Sequence, residues 1–211
     1  MALLSLDDLY LAPDQRPVDI SPLFVTRGVP GTHDVALGEC VIDALKTGQP
    51  VHLPRFDKAT DAPKPVSEWP EVTAPDIILL EGWCVGARPQ TESDLAAPAN
   101  ELERERDPQG VWRRYVNAQL AGPYRQLFAR IDRLVLLAAP GFEVVGAWRT
   151  QQEHDLSRML EKTGQAGTKV MSDAQIAQFI QHYERLTRYI LSEMPQRADL
   201  VLRLDANRTL L

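Results

Sequence analysis

The sequence predicts an α/β fold, a parallel sheet flanked by helices, on three observations. Short apolar runs at 2–6, 77–80, 134–138 and 200–204 have the length and composition of strands. Segments of helical period separate them, the arrangement that gives parallel strands joined by crossover helices. Acidic residues follow the runs at Asp7, Asp8, Glu81 and Asp205, at the carboxyl ends where such sheets bind ligands.

Taken in order, Ala2-Leu3-Leu4-Ser5-Leu6 reads as a buried strand ending at Asp7-Asp8. Leu37, Cys40, Val41, Ala44 and Leu45 fit one helical face, with Asp34 as N-cap and Gly48 just past the end. Residues 49–76 set prolines and charges around one strand-like piece, Val51-His52-Leu53, and read as a long surface loop of the kind that carries function. Ile77-Ile78-Leu79-Leu80 is apolar throughout, as in a strand buried on both faces. Trp112, Val116, Leu120, Leu127, Phe128 and Ile131 predict two abutting helices, interrupted at Gly122-Pro123.

A strand over Leu134–Ala138, a helix over 142–162 and a flexible joint from Gly164 to Met171 follow. Ser172 and Gln175 form a capping box for the next helix, whose apolar stripe is Ile176, Phe179, Ile180, Tyr183, Ile190 and Met194. Leu200 to Leu204 is the last strand. The length of 211 residues suits one domain over 1–211, with 142–172 as a helical lid region.

Charge and composition exclude several functions. A net charge of −6 leaves no surplus of cations to displace counterions from a nucleic-acid backbone, and no apolar run has the roughly 20 residues that span a bilayer. No nucleic-acid or membrane partner is expected, and the cytoplasm is the expected compartment. The two cysteines, Cys40 and Cys84, are too few and too far apart for a disulfide framework or a zinc site, so buried, reduced thiols are expected.

Several segments then resemble a known family. Ser5-Leu6-Asp7-Asp8-Leu9-Tyr10 resembles the D-[DS]-F-Y segment of glycerate 3-kinase-like and uridine-kinase-like proteins, with Leu9 in place of the usual Phe. The segments Arg27-Gly28-Val29-Pro30-Gly31-Thr32-His33-Asp34, Pro54-Arg55-Phe56-Asp57-Lys58, Leu80-Glu81-Gly82-Trp83 and Trp148-Arg149-Thr150-Gln151-Gln152-Glu153 are similar to successive motifs of the glycerate-kinase-like family, in the family's order. The resemblance runs from end to end of the chain. It implies a P-loop NTPase-like kinase that uses ATP and Mg²⁺ on the hydroxyl of a small acid, glycerate first, with a nucleoside or a pantothenate-like compound as other acceptors.

The resemblance also implies roles for individual residues. Asp7 is the base that receives the acceptor's proton, Glu81 the acid near the magnesium, and Arg149 the lid arginine. Asp8, Tyr10, Arg27, His33, Arg55 and Lys58 surround the acceptor, where cations pair with a carboxylate. Arg158 and Lys169, beside the Gly164–Gly167 joint, are further lid candidates for the nucleotide phosphates. Without the resemblance, Asp7 and Asp8 suit turn caps equally well, Lys58 and Arg149 suit solvated surface charges, His33 a turn residue, and Tyr10 a residue packed on the sheet.

One expected motif is missing. No G-x-x-x-x-G-K-[ST] string, the loop that cradles ATP phosphates, occurs in the sequence. Relatives carry that loop and its strand ahead of the D-D-F-Y segment. The expectation is therefore a fold without its P-loop strand and helix, with a start placed at an internal Met favoured over a true remnant. A non-catalytic binding or regulatory protein is the second expectation, and marginal stability of the 211-residue chain is the third.

Overall fold

Apolar runs bounded by turn residues become the strands, and capped periodic segments become the helices. The computed structural model describes residues 1–163 and 171–211. In chain order its elements are β1 (Ala2–Ser5), α1 (Val35–Lys46), β2 (Val51–His52), β3 (Phe56–Asp57), β4 (Ala62–Pro63), β5 (Glu71–Val72), β6 (Ile78–Glu81), α2 (Glu92–Leu95), α3 (Glu101–Arg106), α4 (Val111–Ala121), α5 (Pro123–Phe128), β7 (Val135–Ala138), α6 (Glu143–Thr163), α7 (Asp173–Glu193) and β8 (Leu200–Arg203). They divide into a first unit, Met1–Ala97 with Gln109–Asp132, and a second, Pro98–Pro108 with Arg133–Leu211. Each unit carries one parallel strand pair, so the α/β class and the parallel direction hold.

In the first unit β1 pairs with β6 in a register that sets Ala2 beside Ile78 and Ser5 beside Glu81. Ser5 then caps a 3₁₀ turn over Leu6–Leu9, its hydroxyl accepting the Asp7 N–H at 3.3 Å. Asp34 caps α1 by accepting the Leu37 N–H at 2.9 Å. The buried face of α1 is Val35, Gly38, Val41, Ile42 and Leu45. Gly38 sits there because a Cβ would come within 2.7 Å of Leu9 Cδ1. Cys40 lies on the exposed side of α1, a correction to the expected face and to the expected burial of both thiols.

Residues 49–76 hold more structure than the single expected strand piece. Two two-residue antiparallel pairs form, β2 with β5 and β3 with β4. Downstream, α4 and α5 break at Gly122-Pro123 as expected. Their buried residues Trp112, Leu120, Tyr124 and Leu127 complete the core of this unit.

In the second unit β7 and β8 pair in parallel, Val135 beside Leu200. Ser172 and Gln175 form the expected capping box on α7, which buries Ile176, Leu186 and Ile190. The short helix α3 is tied to α7 by polar contacts. Arg185 donates to both oxygens of Glu103 at 2.7 and 2.6 Å, and Gln181 accepts the Leu102 N–H at 2.8 Å. The Gly164–Gly167 joint and Lys169 lie outside the described residues.

The strands are not buried on both faces, which corrects the reading of the 77–80 run. Side chains alternate across a strand, so Ala2 and Leu4 go inside while Leu3, Ile77 and Leu79 are 47%, 61% and 47% exposed. Val135, Leu137 and Leu200 are likewise exposed in the second pair. No described element covers these faces.

The Glu103–Arg185 pair generates a stability prediction. Glu103 is fully buried and also accepts the Ala99 N–H at 2.8 Å. Glu103→Ala removes the carboxylate that receives two hydrogen bonds from the mostly buried Arg185 guanidinium and is expected to cost about 3–5 kcal/mol. Urea unfolding followed by circular dichroism measures it, and a loss under about 1 kcal/mol would mean the pair pins nothing.

Candidate active site

The site is built where β1 and β6 end side by side. The strand register and the Ser5-capped turn bring Asp7 and Asp8 to the same carboxyl edge as Glu81. Gly82 permits this, since a Cβ there would stand 2.7 Å from Leu6 Cβ, a contact that no side-chain rotation relieves.

Asp7 is held from two sides. The Tyr10 hydroxyl donates to its Oδ1 at 2.6 Å and Lys58 Nζ donates to its Oδ2 at 2.6 Å. Burial pushes the carboxyl up, but the hydrogen bonds from Lys58 and Tyr10 and the lysine charge outweigh it and hold the group below the ordinary aspartate range. Asp7 is an ionised acceptor with both oxygens aimed.

Asp8 has a different task. Its Oδ1 accepts the Phe56 N–H at 3.0 Å and its Oδ2 accepts from Arg55 Nη1 at 3.3 Å. It ties the turn after β1 to β3, the hairpin from which Lys58 projects. Arg55 is thereby engaged with a protein carboxylate and with the Pro54 carbonyl at 2.7 Å.

Arg27 donates to Asp61 Oδ1 at 2.6 Å, and its guanidinium lies 5.7 Å from the Tyr10 ring centroid and 5.6 Å from that of Phe56. Arg16 donates to the same Asp61 oxygen at 2.7 Å, and its side chain is only 2% exposed. Two guanidiniums thus share one carboxylate oxygen. Asp61 holds φ at +56°, a left-handed conformation that costs a non-glycine residue about 1 kcal/mol or more and recurs at functional sites.

His33 is not a cation. It is 5% exposed, its ring stacks on Tyr10 at 4.7 Å, and its Nδ1 lies 2.5 Å from the Tyr124 hydroxyl. Burial pushes its pKa down to about 3 despite the opposing pull of Asp7. The expectation that His33 supplies positive charge to an acceptor carboxylate is corrected: a buried imidazole with no carboxylate in hydrogen-bond contact stays neutral. Cys84, buried nearby, has its thiol pushed up to about 12, by burial first and by Asp7 second.

Glu81 is exposed at the end of β6. No group of three or more His, Cys, Asp or Glu gathers into a metal centre among the described residues. The remaining predicted residues belong to the second unit. Arg149 on α6 pairs with Glu153, donates to Gln152 Oε1 at 2.7 Å and lies over the Phe179 ring at 5.5 Å. Its Nε is buried without a partner. Glu153 is 3% exposed and accepts the Met171 N–H at 3.1 Å with its other oxygen. Arg158 is exposed and pairs with Asp155. The second unit also holds a cleft of about 490 Å³ beyond the carboxyl ends of β7 and β8, walled by Pro140, Phe142, Leu191 and Leu211, with Arg188 and Arg203 among its lining.

The chain has recognisable relatives. It is 33% identical over 197 residues to the uncharacterized kinase mug58 of Schizosaccharomyces pombe, matching 85% of this chain and 66% of that protein. It is 30% identical over 196 residues to the chloroplastic D-glycerate 3-kinase of Arabidopsis thaliana, matching 86% of this chain and 39% of that protein. The solved structure of D-glycerate 3-kinase from Cryptococcus neoformans covers the whole chain at 26% identity and a TM-score of 0.75, with 78% of that structure matched. This chain belongs to the D-glycerate 3-kinase-like kinase family.

No protein-family model matches the chain, and no described helix is long and apolar enough to cross a membrane. Within this family member, sequence reasoning missed Arg16, Asp61 and Tyr124. Arg16 and Asp61 lie 45 residues apart and meet only in three dimensions. Tyr124 lies within the 111–131 helical segment, where no local signal marks its hydroxyl for a partner 91 residues away.

The Asp7 pair yields a prediction with a definite sign. A carboxyl held low in the folded protein adds stability above its unfolded pKa, about 3.9, and loses that contribution as pH falls through the lower folded value. Lys58→Met removes the main lowering interaction, so the Asp7 titration should move upward. Carbon-detected NMR of the carboxyl across pH 2–6 measures it, and an unmoved titration would rule out Lys58 as the group that sets it.

Proposed function

We propose that this protein is an ATP-dependent phosphotransferase acting on the hydroxyl of a small acid, with glycerate as the first acceptor to test. The observation that carries the reading is Asp7, an ionised carboxylate fixed on one oxygen by Tyr10 and on the other by the Lys58 cation, at the carboxyl edge of a parallel strand pair. Membership of a kinase family supports the transfer chemistry.

Phosphoryl transfer has a loose transition state, in which positioning and charge neutralisation do most of the catalysis. In this reading the acceptor hydroxyl donates to an Asp7 oxygen, and Asp7 orients the attacking oxygen. A carboxylate held below its usual pKa takes the proton late, as the bond to phosphorus forms, which suits such a transition state. Around Asp7, Asp8 and Asp61 stand four cations, Arg16, Arg27, Arg55 and Lys58. Because Arg16 and Arg27 share one carboxylate, the corner of the site at Asp61 holds a local surplus of positive charge that suits an acidic acceptor over a neutral alcohol.

The exposed Glu81 carboxylate fits an outer contact to a hydrated magnesium ion. That ion, when bound, neutralises charge on the nucleotide phosphates. Arg149 takes the lid-arginine role by exchanging Glu153 for a phosphate oxygen. A second reading is a kinase-fold protein that binds small acids without phosphorylating them, its cations serving recognition alone.

A coupled assay on the full-length protein, with glycerate, a nucleoside and pantothenate offered with Mg-ATP, tests both readings. Asp7→Asn should lower turnover of the preferred acid about 10²–10⁴-fold while leaving the protein folded. Absence of turnover on every acceptor, with glycerate binding retained in calorimetry, selects the second reading. Asp7→Asn activity within about twofold of wild type removes Asp7 as the base.

A further inference from the structure

We infer that Tyr124 and His33 are positioning residues for Asp7, acting through the ring of Tyr10. The inference rests on the reading of Asp7 as the base. The contacts form one continuous series. Asp7 Oδ1 receives the Tyr10 hydroxyl at 2.6 Å. The Tyr10 ring is stacked on His33 at 4.7 Å with an interplanar angle of 28°, and meets Phe56 edge-on at 5.3 Å. His33 Nδ1 meets the Tyr124 hydroxyl at 2.5 Å.

Tyr124 is the fixed end of the series. It is fully buried in α5, where its ring packs edge-on against Phe128 at 5.8 Å. Its oxygen accepts the Gly31 N–H at 3.0 Å. The hydrogen bond between this hydroxyl and His33 Nδ1 fixes the plane of the imidazole ring, whichever of the two carries the proton. The backbone adds a second tie, because Tyr10 and His33 face each other across an antiparallel bridge flanked by Asp34 N–H to Leu9 O at 2.7 Å and Leu11 N–H to Thr32 O at 2.9 Å.

A hydrophobic side chain of similar size fills either buried position without the cost of enclosing polar atoms. What the two polar groups add is orientation. A stacked ring of fixed plane restricts the second torsion of Tyr10, and with it the point from which the hydroxyl addresses Asp7. The reacting oxygen is placed by a carboxylate whose own rotamer is set from α5, more than 110 residues along the chain. Errors of that placement of about 1 Å can cost a hundredfold in rate.

A double-mutant cycle tests the inference. Tyr10→Phe removes the last contact and Tyr124→Phe the first, and both preserve ring volume. Tyr124→Phe should lower kcat for the preferred acid by about tenfold with the acceptor KM within about twofold, because orientation is lost and binding is not. In the Tyr10→Phe background the same change should add almost nothing, since the route is already cut. Equal effects of Tyr124→Phe in both backgrounds would overturn the inference, as would a change confined to KM.

The cycle is also read without turnover, on the Asp7 titration followed by carbon-detected NMR. The titratable groups facing Asp7 are Lys58, Tyr10, His33 and Cys84. Tyr10→Phe should move the Asp7 titration upward, Tyr124→Phe should move it upward by less, and the double variant should match Tyr10→Phe. If the protein phosphorylates no acid, the proposed function fails while this arm still decides the relay. His33→Phe, which keeps the stacked ring and deletes Nδ1, repeats the test should Tyr124→Phe fail to fold.

Discussion

The parallel pairing of β1 with β6 is the constraint on which the rest of the first unit depends. A register that sets Ser5 beside Glu81 ends both strands at one level. The Ser5-capped turn then has only one place to go, over the end of β6, where Gly82 leaves room for Leu6. A slip of one residue would turn every side chain of β1 to the opposite face, putting Leu3 in the core in place of Leu4 and taking Asp7 out of reach of Lys58. The chemistry at the edge is therefore a consequence of backbone hydrogen bonding together with the burial of Ala2 and Leu4.

Around that edge, the polar residues fall into two kinds. Asp8 and Arg55 spend their hydrogen bonds on the main chain and on each other, tying the turn after β1 to β3, and Arg16 spends its own on Asp61 and on the carbonyls of Leu11 and Val25. Asp7, Lys58 and Glu81 keep more exposure and present charge outward. The division follows from solvation. A buried charge must be fully paired, whereas a carboxylate that is to meet a substrate keeps one side accessible.

Most of the elements were legible in the sequence because they rest on local signals. The Asp34 and Ser172 caps, the break at Gly122-Pro123 and the four main apolar runs each depend on neighbours within a few residues. The strands at 56–57, 62–63 and 71–72 were not legible, since two-residue pairs are stabilised by partners elsewhere and carry almost no period. Leu79 misled in the other direction. An apolar run reports that a strand is apolar on both faces, and not that both faces are covered.

For the site, the sequence alone determined which acidic residues end the strands and which loops carry cations, because strand ends and motif order are one-dimensional properties. Tertiary structure decided which charges are spent. The sharing of Asp61 between Arg16 and Arg27 arises from side chains distant in sequence meeting at hydrogen-bonding range, and the neutrality of His33 beneath Tyr10 arises from its burial. Electrostatic character depends on separation in space and on burial, and neither is written in the order of the residues.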